Sequence, residues 1–309
     1  MKTIRRKILI SINIIAIITM LFLHFYVPRF IVEIKNPFIE LARTNFIQTD
    51  LHTINSTEIG KKITFFSRDG LAMKALLNHS KTNSEKGTVI FIHGIRSSKE
   101  QYAKLSKKMT RIGYNTVAVD LRAHGESQGE YCTFGYKEKY DISKLIDYLI
   151  EKEGMDKNIG IWAHSLGGAI GIQSMAIDQR IKFGIIESSY SDFGQITKDY
   201  SNYYLNFEFD LLNEHLNERA ADLAGFKLEQ INPKDYCKKI TQPILLVHGN
   251  QDKKINIKYA RENFRNLKSK HKTFIEVSGA NHTDIWQIGG KNYFEKVILF
   301  INRNCSAEF

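Results

Sequence analysis

Cysteine is scarce, with three residues in 309. Cys132, Cys237 and Cys305 are far apart and follow neither a metal-ligand nor a redox spacing. That excludes a zinc ribbon, a CxxC redox centre and a disulfide framework, and leaves open only a Cys132–Cys237 pair outside the cytoplasm. Proline is scarce too, with four residues beside many Ile, Lys and Asn, a composition typical of AT-rich bacterial genomes. There is no internal repeat and no low-complexity linker, so a single folded domain is expected. The chain is basic, at +11, but lacks a basic stripe with interleaved aromatics, which argues against a nucleic-acid partner. Residues 1–35 carry six Lys/Arg against one Glu and leave +6 for the rest, a modest surplus that suits an anionic membrane surface.

There is only one long apolar run. Ile8 to Val27 is broken only by Ser11, Asn13, Thr19 and His24. Twenty helical residues reach about 30 Å, the thickness of a bilayer's hydrocarbon core. No A-x-A-like site follows, and Pro28-Arg29-Phe30-Ile31-Val32 is not small-residue, so an uncleaved anchor is expected rather than a cleaved signal. Lys2, Arg5, Arg6 and Lys7 precede the run, while Arg29, Glu33 and Lys35 after it sum to +1. The positive-inside rule then places the N-terminus in the cytoplasm and the remainder outside. The expected division is an anchor over 1–35, a connector over 36–60 and one catalytic domain over 61–309.

Beyond the connector, Lys61–Ser67 and Leu71–Asn78 read as a hairpin through Arg68-Asp69-Gly70. Strands Thr88–His93, Thr116–Asp120, Ile159–Ala163, Phe183–Ser188, Ile244–His248 and Thr273–Val277 then alternate with helical patterns. Those patterns fall at Lys99–Ile112, Lys137–Glu153, Leu166–Asp178, Ile257–Leu267 and Tyr293–Asn302. The alternation predicts an α/β fold, a mostly parallel sheet with helices on both faces and functional groups at the strands' carboxyl ends.

Chemistry gathers at those ends. In Ala163-His164-Ser165-Leu166-Gly167-Gly168 a strand runs into a serine flanked by small residues and then into a helix. This is a G-x-S-x-G nucleophile elbow with alanine in the first position. An apolar strand from Pro243 to His248 ends in a turn that presents Asp252, and the strand from Thr273 to Val277 ends in a Gly-containing loop that presents His282. A serine hydroxyl needs an imidazole base, and the imidazole needs a carboxylate to set its tautomer and stabilise its cation. Ser165, Asp252 and His282 are therefore the expected catalytic residues. Acyl transfer also builds an oxyanion, and losing one preorganised N–H donor for it costs about 3–4 kcal/mol. The residue after the nucleophile, Leu166, and the loop after strand Thr88–His93, through Ile95, are the expected donors. Gly94 lets that loop turn. Neither a metal nor an organic cofactor is needed.

From about Lys61 to Asn304 the chain resembles the α/β-hydrolases of the lysophospholipase and monoacylglycerol-lipase type. The resemblance extends to Asp120-Leu121-Arg122-Ala123-His124-Gly125-Glu126-Ser127, similar to the family's D-x-R-G-H-G-x-S with Ala123 for the first glycine. It implies that this loop shapes the floor of the site, so Asp120 and His124 are weaker rivals for the triad than Asp252 and His282. Glu187, at the end of a strand where some members of the family carry their acid, is the stronger rival to Asp252. The resemblance also implies a helical lid, here about residues 193–235. That interval is rich in aromatics, among them Phe193, Tyr200, Tyr203, Tyr204, Phe207, Phe209 and Phe226. The expected activity is ester hydrolysis through an acyl-enzyme, on a small-molecule or lipid-like ester. A peptidase on the same fold, with Glu187 holding a substrate amine, and a non-catalytic binding protein are the alternatives.

Overall fold

A computed structural model describes residues 2–35, 60–155, 158–206 and 209–305. The predicted connector, apart from Gly60, and Phe207 lie outside the described residues. Among the described residues eight strands form one sheet: β1 Lys61–Phe66, β2 Ala72–Asn78, β3 Gly87–Ile92, β4 Tyr114–Val119, β5 Ile159–His164, β6 Ile181–Glu187, β7 Ile244–Gly249 and β8 Lys272–Val277. Their spatial order is β1-β2-β4-β3-β5-β6-β7-β8. The β1/β2 and β2/β4 pairs are antiparallel and all others parallel. β3, β4 and β7 are buried along their whole length, which is why they read as mostly apolar runs rather than alternating ones.

Ten α-helices accompany the sheet among the described residues: α1 Lys2–Phe25, α2 Val27–Val32, α3 Ala103–Arg111, α4 Glu138–Glu153, α5 Leu166–Ile177, α6 Phe193–Leu205, α7 Asp210–Ala224, α8 Pro233–Cys237, α9 Ile257–Asn266 and α10 Ile285–Cys305. Successive strand residues point to opposite faces, and the core divides accordingly. Val89, Phe91, Trp162, Ile185, Leu245 and Val247 pack with Leu105 and Met109 of α3 and Val297 and Ile301 of α10. Their neighbours Ile90, Ile92, Ile161, Ala163, Ile186 and Leu246 pack with α4, α5 and the segment from Phe193 to Ile240.

Two helices differ from expectation. The helix expected from Lys99 opens as a 3-10 turn, Lys99–Tyr102, because the buried Lys99 is drawn to Asp120: its Nζ lies 2.7 Å from Oδ2. The helix expected from Tyr293 starts at Ile285 and continues across a kink at Gly290, whose φ of 50° suits glycine. Cys132 and Cys237 are both free and buried, so the pair left open by the sequence does not form.

The N-terminal helix is long and apolar enough to cross a membrane by length and composition, and its side chains Ile8, Leu9, Ile12, Ile15 and Ile18 are exposed. The residues after it behave differently. Val32 and Ile34 are buried in the domain core, and α2 packs on α7. The folded body therefore takes in Val27–Lys35, which the sequence assigned to the anchor.

Candidate active site

β5 ends at His164 and α5 begins at Leu166, so Ser165 is the whole of the turn between them. Its backbone lies at φ 57° and ψ −121°, a conformation that costs a non-glycine residue roughly 1–3 kcal/mol. Tertiary bonds hold it there: Ser165 N–H donates to the Glu187 carbonyl at 2.8 Å, and its own carbonyl accepts from Ala169 N–H at 3.2 Å. Gly167 is required by contact. A Cβ there would lie 2.3 Å from the Ile92 carbonyl oxygen and 2.5 Å from that of His93. At Gly94 a Cβ would press on the Ser165 Cβ at 3.2 Å.

The three strand-end residues meet. Ser165 Oγ donates to His282 Nε2 at 3.0 Å, and His282 Nδ1 donates to Asp252 Oδ2 at 2.7 Å. Burial alone pushes the Asp252 carboxyl up. Hydrogen bonds from His248 and His282 outweigh it and hold the group well below the usual carboxylate range. Asp252 is thus an acceptor only, which makes Nδ1 the donor and leaves Nε2 free to accept the serine proton. The other Asp252 oxygen accepts from Lys254 N–H at 2.9 Å and Ile255 N–H at 2.8 Å, so the carboxylate cannot rotate freely.

Two histidines that the sequence reading left without a role support this chain. His248, fully buried on β7, places Nε2 3.3 Å from Asp252 Oδ2 and donates to the Ile255 carbonyl at 2.7 Å. His164, just before the serine, donates from Nε2 to the His282 carbonyl at 2.9 Å. Burial and the neighbouring His282 push His164 down to about 4, so it stays neutral while it pins the His282 backbone. A lone histidine in a strand carries no sequence signal for such a task. Its position beside the motif residue was the only hint.

Ile95 and Ser165 line one cleft of about 490 Å³ with His282, Arg96, Glu187, Tyr200 and Tyr204. Leu166 opens α5 directly beside it. Among the described residues neither Ile95 N–H nor Leu166 N–H donates to another backbone carbonyl. The cleft's roof is α6, through Tyr200 and Tyr204, and the interval 193–235 holds α6, α7 and the start of α8.

The rivals are otherwise engaged. Glu187 accepts from Trp162 Nε1 at 2.7 Å, Trp286 Nε1 at 2.9 Å and the Tyr293 hydroxyl. Its burial raises its pKa against those three donors. Asp120 binds Lys99 and accepts from Glu126 N–H at 2.8 Å. His124 donates to the Arg122 carbonyl at 2.8 Å, and burial and the adjacent His93 push it well below its ordinary value. Arg122 forks onto Asp141 at 2.7 and 2.8 Å. Asp120, Arg122 and His124 thus fix the loop over 120–127.

Comparisons with known proteins bear on the fold. Residues 83–190 match a family described as serine aminopeptidase, S33. The uncharacterized protein YqkD of Bacillus subtilis (strain 168) is 23% identical over 237 residues, 74% of this chain and 76% of its own length. Lysophosphatidylserine lipase ABHD12 of Mus musculus is 23% identical over 226 residues, which are 66% of this chain and 53% of that protein, so this chain spans about half of it. Among solved structures, the esterase Pf2001 of Pyrococcus furiosus overlays with a TM-score of 0.66 at 23% identity, covering 80% of this chain and 93% of its own.

Proposed function

We propose that this α/β-hydrolase is a membrane-tethered serine hydrolase of carboxylic esters, with Ser165 as nucleophile, His282 as general base and Asp252 as its orienting acid. The observation that carries the reading is the unbroken chain Ser165 Oγ–His282–Asp252, at 3.0 and 2.7 Å, opening on one cleft. In the first step Ser165 Oγ attacks the ester carbonyl while His282 Nε2 takes its proton. The Ile95 and Leu166 amides hold the oxyanion. His282 then protonates the leaving alcohol, and in the second step it activates a water that releases the acid from the acyl-serine.

A lipid-like acyl ester is the substrate class this reading favours. Its support is the apolar helix α1, which joins the folded body beside the roof, and the two tyrosines over the cleft. The name of the lysophosphatidylserine lipase relative fits that choice. The serine aminopeptidase match favours a second reading, a peptidase, in which Glu187 would hold a substrate amine. Against it, the Glu187 carboxylate is 1% exposed and already accepts from Trp162, Trp286 and Tyr293.

The test is labelling by a fluorophosphonate probe, followed by a panel of nitrophenyl esters of increasing chain length, monoacylglycerols, lysophospholipids and amino-acid anilides. Labelling at Ser165 with turnover rising toward long acyl esters is expected. Turnover of the anilides alone would move the assignment to the peptidase, and absence of both label and turnover would sink the catalytic reading.

Topology has its own expected result. The catalytic domain lies outside the cytoplasmic membrane, since Lys2, Arg5, Arg6 and Lys7 precede the span. Protease added to cells with a permeabilised outer envelope should digest or release the domain. A domain that survives until the inner membrane is lysed would reverse the orientation.

A further inference from the structure

The segment after the apolar helix is docked on the folded body. Val32 is fully buried, and its carbonyl accepts from Cys132 N–H at 2.9 Å. Glu33 forms an antiparallel bridge with Tyr131, and Lys35 Nζ donates to the Ser127 carbonyl at 2.9 Å. At the other end, the His24 ring stacks on His215 of α7 with centroids 5.2 Å apart. This chain of contacts is not that of a slack tether.

One contact reaches the reacting atoms' surroundings. Arg96 follows Ile95 directly, sits at φ 56°, and lines the same cleft as Ser165. A non-glycine residue held in that region needs its surroundings to impose the conformation. Arg96 Nη2 donates to the Phe30 carbonyl at 3.1 Å, so the side chain of the residue that follows Ile95 is tied to α2.

We propose that Arg96 is a positioning residue for the oxyanion loop, and that the docked segment Val27–Lys35 supplies the fixed acceptor it needs. Turnover then depends on this segment being seated, beyond its role in anchoring. The inference rests on the esterase reading, with Ile95 N–H as an oxyanion donor. An amide displaced by a fraction of an ångström still exists but no longer meets the developing charge. Losing an oxyanion donor outright lowers kcat by about 10²–10³-fold. Misplacing one should cost less, roughly 10- to 100-fold.

The experiment uses the full-length protein in detergent, with p-nitrophenyl butyrate as substrate and an alkyl trifluoromethyl ketone as inhibitor, whose serine adduct carries an oxyanion. Wild-type turnover is measured first, and its absence would fail the esterase reading rather than this one. Arg96→Met should lower kcat by roughly 10- to 100-fold with KM within about twofold, and should weaken the ketone by a similar factor. Arg96→Lys should recover part of both. Val32→Ser, which loosens the segment from its side, should lower kcat in the same sense. Combined with Arg96→Met it should add little, because both act through one contact. Arg96→Met with wild-type kcat would overturn the proposal. So would a raised KM at unchanged kcat, which would make Arg96 a substrate-binding group. If Arg96→Met does not fold, Arg96→Lys and Val32→Ser decide. Wild-type kcat and ketone affinity in both, or fully additive losses in their combination, would equally overturn it.

Discussion

Ser165→Ala leaves a folded protein whose ester turnover falls by about 10⁶-fold, the scale on which serine nucleophiles are lost elsewhere. The size follows from the chemistry. Without Oγ there is no acyl-enzyme, and only the cleft and the two amides remain to act on water. At about 1.4 kcal/mol per factor of ten, the loss is on the order of 8 kcal/mol in transition-state stabilisation. The fold should barely notice, because Ser165 gives up one hydrogen bond to His282 and no core packing. A melting temperature within a few degrees of wild type is the control. Ser165→Gly supplies a second one. It removes the same nucleophile and also relieves the backbone strain at φ 57°, so it should melt above Ser165→Ala. A folded Ser165→Ala protein that turns over p-nitrophenyl butyrate near the wild-type rate would end the assignment. A Ser165→Gly protein no more stable than Ser165→Ala would mean the elbow stores no strain.

The sheet and the three strand-end residues were legible because each has a local signature. β5 and β7 are apolar runs of strand length, β8 is a strand of the same length, and Ser165, Asp252 and His282 follow β5, β7 and β8 within a few residues. Gly167 was legible because the elbow pattern demands a small residue two after the serine, where a Cβ would meet the Ile92 and His93 carbonyls. The supports were not. His248 and Asp252 share a short turn, but nothing in a buried strand histidine announces a partner. His164 reaches His282 across 118 residues, and Arg96 reaches Phe30 across 66. Such contacts leave no period or spacing in the chain. The docking of Val27–Lys35 was missed for a related reason. Val32 and Ile34 continue the hydropathy of the span, so composition cannot separate a residue facing lipid from one facing the core. The helical pattern reads only from Tyr293, whereas a φ of 50° at Gly290 lets two helices join as α10.

Asp252→Asn is the substitution that separates the two candidate acids, and the geometry sets its outcome. One Asp252 oxygen accepts from Lys254 and Ile255 N–H groups, while the other faces His282 Nδ1 at 2.7 Å and His248 Nε2 at 3.3 Å. An asparagine keeps its carbonyl oxygen on the two backbone donors. Its NH₂ is then forced toward the histidines, donor against donor. His282 can accept at Nδ1 only by moving its proton to Nε2, which is the nitrogen that must take the serine proton. The expected result is a fall in kcat of about 10⁴-fold with little change in melting temperature, as for triad aspartates in which the wrong tautomer is imposed. Glu187→Gln should behave in the opposite way. The Trp162, Trp286 and Tyr293 donors all reach one carboxylate oxygen, which an amide oxygen can replace. The new NH₂ meets Trp286 Nε1, which also lies 3.1 Å from the second oxygen. That mismatch costs about 1–3 kcal/mol of stability and leaves the His282 tautomer alone, so kcat should change by less than about tenfold. Both variants are compared by melting curve and by turnover of p-nitrophenyl butyrate. A larger loss of kcat in Glu187→Gln than in Asp252→Asn, in folded protein, would transfer the acid's role to Glu187.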